Sequence, residues 1–262
     1  MNLLSRSLAV AAAVTLTGVD PARAATRPEK PTIILVHGAF AGSSSWNGVI
    51  ARLEKDGYPV VAAANPLRGV ASDGASVSAV VKSVPGPVVL VGHSYGGPVI
   101  TEAANGHPNV KALVYVSAFA PDTGETSLGL TGKFPGSTLG DALAPPVEHT
   151  DGSPDLYIDQ AKFPAQFAAD VPLAQARLMA ATQRPVAKAA LGEPTGVAAW
   201  KTIPSYAIYG TADRNIPPAG MHFMAERAKS RKTVVVEGAS HVVMISHAAA
   251  VASLIEDAAG GR

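Results

Sequence analysis

A serine hydroxyl is a poor nucleophile at neutral pH. It becomes a good one when a base lies within hydrogen-bond reach and an acid orients that base. The strongest candidate nucleophile is Ser94, at the centre of Gly92-His93-Ser94-Tyr95-Gly96. The apolar run Val88–Val91 leads into this segment, and Pro98 to Ala104 reads as a helix after it. Strand, sharp turn and helix form the context in which Gly-x-Ser-x-Gly makes a nucleophile elbow. The glycines remove Cβ atoms that would collide in so tight a turn. Ser94 is then held in a strained conformation at the top of a sheet, above a helix N-terminus.

In open α/β sheets the reacting groups sit at the carboxyl ends of strands, which narrows the choice of partners. Of seven histidines, His241 lies in Glu237-Gly238-Ala239-Ser240-His241, just past the predicted strand Thr233–Val236. It is the expected base. His247 reads as the first turn of the last helix. His37 and His93 flank motif glycines and are expected to pack or hydrogen-bond locally, and His107, His149 and His222 have no such placement. Asp213, in Gly210-Thr211-Ala212-Asp213-Arg214, follows the strand Ser205–Tyr209 and is the expected acid, with Asp122 as the alternative. An oxyanion needs two preorganised N–H donors. Tyr95 supplies one, and the loop Val36-His37-Gly38-Ala39-Phe40 the other, from Ala39 or alternatively Phe40.

Apolar runs alternating with amphipathic stretches predict a mostly parallel sheet covered by helices. Strands are expected at Thr32–Val36, Pro59–Ala63, Val88–Val91, Ala112–Val116, Ser205–Tyr209 and Thr233–Val236. Helices are expected at Ser45–Asp56, Asp73–Ser83, Pro218–Ala228 and Ala248–Ala258, with Ser72 or Asp73 capping the second of these. The alternation breaks between about 123 and 200. That stretch is too long for a plain loop. It predicts an inserted cap with helices at Asp159–Ala169 and Leu173–Ala181 and no strong strand. Phe163, Phe167, Leu173, Leu178 and Met179 give the cap an apolar face, which suggests a modest, uncharged substrate.

At 262 residues and 47% hydrophobic, the chain can bury the core of one large domain. A net charge of +1 without a basic patch argues against a nucleic-acid partner, and the absence of cysteine excludes disulfides and a thiolate nucleophile. Residues 1–24 read as a secretory leader: Arg6, an apolar stretch from Ser7 to Val19, then Ala22-Arg23-Ala24. The apolar stretch is too short for a stable membrane anchor. Cleavage after Ala24 and a periplasmic or secreted location are the expectation, with residues 25–262 as the folded domain.

Taken together, Leu35-Val36-His37-Gly38-Ala39 with Trp46, Gly92 to Gly97, Tyr209 to Pro217 and Gly238-Ala239-Ser240-His241 resemble the α/β-hydrolase superfamily. The order Ser94, Asp213, His241 is that of the superfamily. Within it, the chain is similar to plant methyl esterases and hydroxynitrile lyases and to related bacterial serine esterases, from about Pro31 to Ile255. The resemblance implies a triad of Ser94, Asp213 and His241, an oxyanion hole of Ala39 and Tyr95, a cap shaping the pocket, and no metal or organic cofactor. The expected activity is hydrolysis of small, largely apolar carboxylic esters through an acyl-enzyme. Lactone, C–C bond and perhydrolysis chemistry are alternatives on the same machinery, and a non-catalytic ligand-binding protein is a further one. The lyases place a threonine where this chain has Gly38 and a lysine where it has Val242, so cyanohydrin cleavage is not expected. Ser94 at the elbow argues against epoxide and haloalkane chemistry, which uses an aspartate there.

Overall fold

The computed structural model describes residues 30–261. The expected leader, residues 1–24, lies outside them. The chain runs through β1 (Thr32–Val36), α1 (Asn47–Lys55), β2 (Val60–Ala63), α2 (Val70–Ser83), β3 (Val88–His93), α3 (Gly96–Ala103) and β4 (Val110–Val116). After an insert it resumes with β8 (Ser205–Gly210), α9 (Pro218–Arg227), β9 (Lys232–Val236), α10 (Val243–Ser246) and α11 (Ala248–Ala259). The insert holds α4 (Ser127–Lys133), α5 (Leu139–Ala142), β5 (Val147–Glu148), β6 (Pro154–Leu156), α6 (Phe163–Phe167), α7 (Leu173–Thr182), β7 (Val186–Ala187) and α8 (Lys188–Gly192).

Six strands form one sheet in the order β2-β1-β3-β4-β8-β9, every neighbouring pair parallel. A parallel sheet covered on both faces needs apolar residues at successive positions, not alternate ones. The central strand shows this, since all six residues of Val88–His93 are buried. Burial of one such Val or Leu side chain contributes about 1.5–3 kcal/mol. The edge strand β9 alternates instead, its outer positions exposed. Right-handed crossovers in opposite directions put α1 and α2 on opposite faces. Accordingly α1 packs on α11, and α2 on α3. Among the described residues no helix is long and apolar enough to cross a membrane.

Three expectations are corrected. The insert is not purely helical: β5, β6 and β7 form a small antiparallel sheet. These strands are two or three residues long, too short to leave a periodic signature. The predicted helix at Asp159–Ala169 shrinks to Phe163–Phe167. Helix α2 also begins three residues before the expected Asp73, at Val70 after Gly69. Asp73 still serves the helix start, because its carboxylate accepts N–H groups from Arg68 at 3.1 Å and Gly69 at 3.4 Å.

The chain leaves β1 toward β2 and returns to β3 on the other side, so β1 and β3 flank the switch in strand order. A crevice opens there at the carboxyl ends of the strands. The turn after β3 projects into it and fits only without side chains at its base. A Cβ on Gly92 would lie 2.5 Å from Gly96 O, and one on Gly96 would lie 2.5 Å from Val36 O. Both obstacles are backbone and cannot rotate away. Gly92→Ala is therefore expected to destabilise the fold by about 1–3 kcal/mol, the range for overpacking. A urea titration checks this, and a change within about 0.5 kcal/mol would mean that the turn has room to spare.

Candidate active site

Ser94 follows β3 and takes φ +54, a left-handed conformation that is strained for a residue with a side chain. Its backbone is fixed on both sides. The N–H donates to Val116 O at 3.3 Å, and the carbonyl accepts from Gly97 at 3.0 Å and Phe119 at 3.3 Å. The hydroxyl lines a cavity of about 570 Å³ that Tyr95, Ala39 and His241 also line.

His241 follows β9 and Asp213 follows β8, and the parallel pairing of these strands brings both loops to the same end of the sheet. His241 Nδ1 donates to Asp213 Oδ2 at 2.7 Å, with both side chains fully buried. The other carboxylate oxygen accepts N–H groups from Asn215 at 2.8 Å and Ile216 at 3.0 Å. A buried charge persists only when it is hydrogen-bonded in this way. The alternative acid, Asp122, is elsewhere: it pairs with Lys201, whose hydrogen bond holds its carboxyl below the usual range. The hydrogen bonds of the described residues do not include one from Ser94 to His241. Such bonds commonly stay long until substrate binds.

The His241 ring is clamped between aromatic neighbours. Phe167 of α6 stands edge-on with centroids 4.9 Å apart, and His93 lies at 4.7 Å. His93 Nε2 donates to the His241 carbonyl at 3.1 Å. His93 is thus more than local packing, since it holds the backbone of the candidate base.

The loop after β1 presents the second donor of the proposed oxyanion pair. His37 Nδ1 donates to Gly38 O at 3.0 Å, while His37 Nε2 accepts the Asn65 N–H at 3.1 Å. In a trans peptide the N–H points opposite to the C=O. Fixing Gly38 O against His37 therefore turns the Ala39 N–H the other way. The Phe40 N–H, the alternative donor, is committed elsewhere, to Arg184 O at 3.0 Å. Tyr95 is anchored through its side chain, whose hydroxyl donates to Asp73 Oδ2 at 2.9 Å. The loop and the elbow touch: a Cβ on Gly38 would lie 2.6 Å from Ser94 Cβ and 2.7 Å from His93 O. The β-branched threonine that the lyases carry here has no room in this backbone.

The cap forms the cavity's far wall through Leu128, Leu139, Leu143, Leu156 and Leu191. Of the five apolar cap residues read from the sequence, only Phe167 lines this cavity. Phe163 is buried beneath it, with ring centroids 4.9 Å apart. Leu173 and Leu178 are exposed, and Leu178 and Met179 line a separate groove. Sequence reasoning missed Gln166 of α6. Its Nε2 donates to Arg214 O at 2.9 Å and to Asn215 Oδ1 at 3.2 Å, and its Oε1 accepts from Thr138 at 2.8 Å. It ties the cap to the loop that carries Asp213. A lone glutamine in a five-residue helix offers no sequence signal for this.

A model described as "Alpha/beta hydrolase family" matches residues 33–254. A carbendazim hydrolyzing esterase from Nocardioides sp. (strain SG-4G) is 33% identical over 113 residues, 38% of this chain and 47% of that protein. Methylesterase 8 from Arabidopsis thaliana is 31% identical over 139 residues, 45% of this chain and 50% of that protein. The chain thus matches about half the length of these two relatives. Polyneuridine aldehyde esterase superposes with a TM-score of 0.75 at 19% identity, over 87% of this chain and 99% of that one, a likeness of fold.

The two histidines behind the site titrate abnormally. Burial, with a smaller contribution from Arg184, lowers His37 from 6.5 to about 4. Burial and then the nearby His241 hold His93 well below 6.5. Both are neutral in the folded protein, whereas in the unfolded chain they take up protons as pH falls through 6.5. Their contribution to stability is therefore complete above pH 6.5 and is lost on acidification, for His37 down to about pH 4, with a slope of at most about 1.4 kcal/mol per pH unit for each. Urea midpoints measured from pH 7 to 4.5 should fall, and His37→Gln should fall less steeply. Parallel slopes for the two proteins would show that His37 protonates freely in the fold.

Proposed function

We propose, because the chain belongs to the α/β-hydrolase family and its candidate site pairs a buried His241 with Asp213 beside Ser94, that it is a serine hydrolase cleaving small, largely apolar carboxylic esters. The observation that carries this reading is the 2.7 Å hydrogen bond between His241 Nδ1 and Asp213, which leaves Nε2 as the nitrogen available to a hydroxyl in the cavity. Ser94 Oγ attacks the ester carbonyl and His241 Nε2 takes its proton. The carbonyl oxygen becomes an oxyanion held by the Ala39 and Tyr95 N–H groups. Loss of one such donor typically costs about 2.7–4 kcal/mol in the transition state. The tetrahedral adduct collapses, the C–O bond to the alcohol breaks, and His241 returns the proton to the departing oxygen. Water then attacks the acyl-enzyme with the same base and donors, releasing the acid and restoring Ser94. Asp213 keeps the imidazole in the required tautomer and stabilises its charged form.

The names of relatives support the reaction class, since a carbendazim hydrolyzing esterase and a methylesterase are among them. The cavity supports the substrate class. Its volume of about 570 Å³ lies within the range of small-molecule sites. Its wall is mostly leucine, phenylalanine, alanine and proline, with hydroxyls at Ser127, Thr131 and Ser137. Gly38 packed against Ser94 and the buried Val242 after His241 provide no hydroxyl or ammonium for a departing cyanide.

Turnover of a short-chain nitrophenyl ester tests the proposal. Ser94→Ala should abolish it without unfolding the protein. Asp213→Asn should lower kcat by on the order of 10⁴, as in the serine-protease template, while Asp122→Asn should change it little. Near-normal turnover in Ser94→Ala would remove the proposed nucleophile. A larger loss in Asp122→Asn than in Asp213→Asn would reassign the acid.

A further inference from the structure

Phe40 faces two compartments. It lines the apolar cavity over Ser94 and also a groove of about 540 Å³ between the loop after β1 and helix α7. Among the described residues no other lines both. The two differ in chemistry. The cavity wall is largely aliphatic, whereas the groove presents Ser44, Ser45, Asn47, Gln175, Thr182 and Arg184.

The wall between them is held rigidly. Phe40 takes φ +60, an outlier for a bulky residue and an easy conformation for glycine. Its N–H is pinned to Arg184 O at 3.0 Å. Its ring, 3% exposed, stands edge-on to Phe167 with centroids 6.2 Å apart. Strain of this kind persists where the surroundings impose it and clusters at ligand clamps and active sites. The side chain that makes this backbone costly is the one that lines both spaces.

We propose that Phe40 is a specificity-determining partition, and that its ring keeps substrate out of a groove whose chemistry suits an ester arm bearing hydroxyl or amide groups. The inference rests on the ester-hydrolase reading of the site. With the ring in place, both arms of a substrate must fit the apolar cavity. Without it, an arm can pass the Ala39–Phe40 loop and reach hydrogen-bonding groups in the groove, while the reacting carbonyl stays at Ser94.

The test compares kcat/KM for a short nitrophenyl ester with that for two longer esters. One carries a six-carbon acyl chain ending in an amide; the other has tri(ethylene glycol) as its alcohol. Phe40→Gly should raise the long-to-short ratio at least tenfold in one of the two series, and the responding series identifies the arm that enters. Phe40→Leu, which keeps more bulk, should raise it less. Adding Gln175→Trp to Phe40→Gly should fill the groove and return the ratio toward its original value. An unchanged ratio in both Phe40 variants, or a gain that Gln175→Trp leaves intact, overturns the proposal. Binding of the corresponding non-hydrolysable amides by calorimetry gives the same ratios without turnover. A gain in binding with no ester cleavage by any form of the protein would sustain the partition and refute the hydrolase reading.

Discussion

The structure depends on one close backbone approach, that of the loop after β1 to the turn after β3. Gly38 lies so near Ser94 that a Cβ would be 2.6 Å from Ser94 Cβ, and Gly96 lies equally tightly on Val36 O. This contact has two consequences. It brings Ala39 and Tyr95, on neighbouring loops, to the cavity that Ser94 also lines. It also packs the two loops against each other too closely for either to shift without the other. The proposed mechanism would draw on that packing, because a donor already in place costs no reorganisation when charge develops. The parallel sheet supplies the approach, since the strand order puts β1 beside β3 and all the reacting loops at one end.

A second set of contacts holds the hydrogen-bonded pair of Asp213 and His241. Three donors face the buried Asp213 carboxylate: His241, Asn215 and Ile216. Asn215 is bonded in turn to Gln166 of the cap. Phe167, one residue on, packs against the His241 ring. One short helix of the insert thus supports both members of the pair. On the opposite side, Arg68 bonds Asp155 of the cap sheet at 2.7 Å, and its backbone N–H meets the Asp73 that anchors Tyr95. The cap therefore does more than roof the cavity. It connects to Asp213, His241 and Tyr95 through different residues.

What could be read from the sequence follows from how local each signal is. The core strands were legible because a parallel sheet buries both faces, which writes unbroken apolar runs such as Val88–Val91. Ser94 was legible because the steric demand of its turn writes glycines at fixed offsets. Asp213 and His241 were legible because strand ends restrict where reacting groups lie, and the structure brings the two into contact and sets Asp122 apart. The cap was legible only as a break in pattern. Its strands are two or three residues long, and their pairing joins Leu156 to Val186, thirty positions apart. The partner of the Phe40 N–H was also hidden, because the Arg184 carbonyl that takes it lies far off in the sequence. Likewise His93 reads as a packing residue until the fold brings its ring against the His241 backbone.

The central claim is that this geometry makes Ser94 a nucleophile that turns over through an acyl-enzyme. Rapid-quench mass spectrometry during hydrolysis of nitrophenyl acetate observes that species directly. The account predicts an acetyl group on the peptide carrying Ser94, formed in a burst with nitrophenol release and decaying at the steady-state rate, with no adduct when His241 is replaced by alanine. Turnover with no acetyl group on Ser94, or a stable adduct on another residue that accounts for the release, would contradict it.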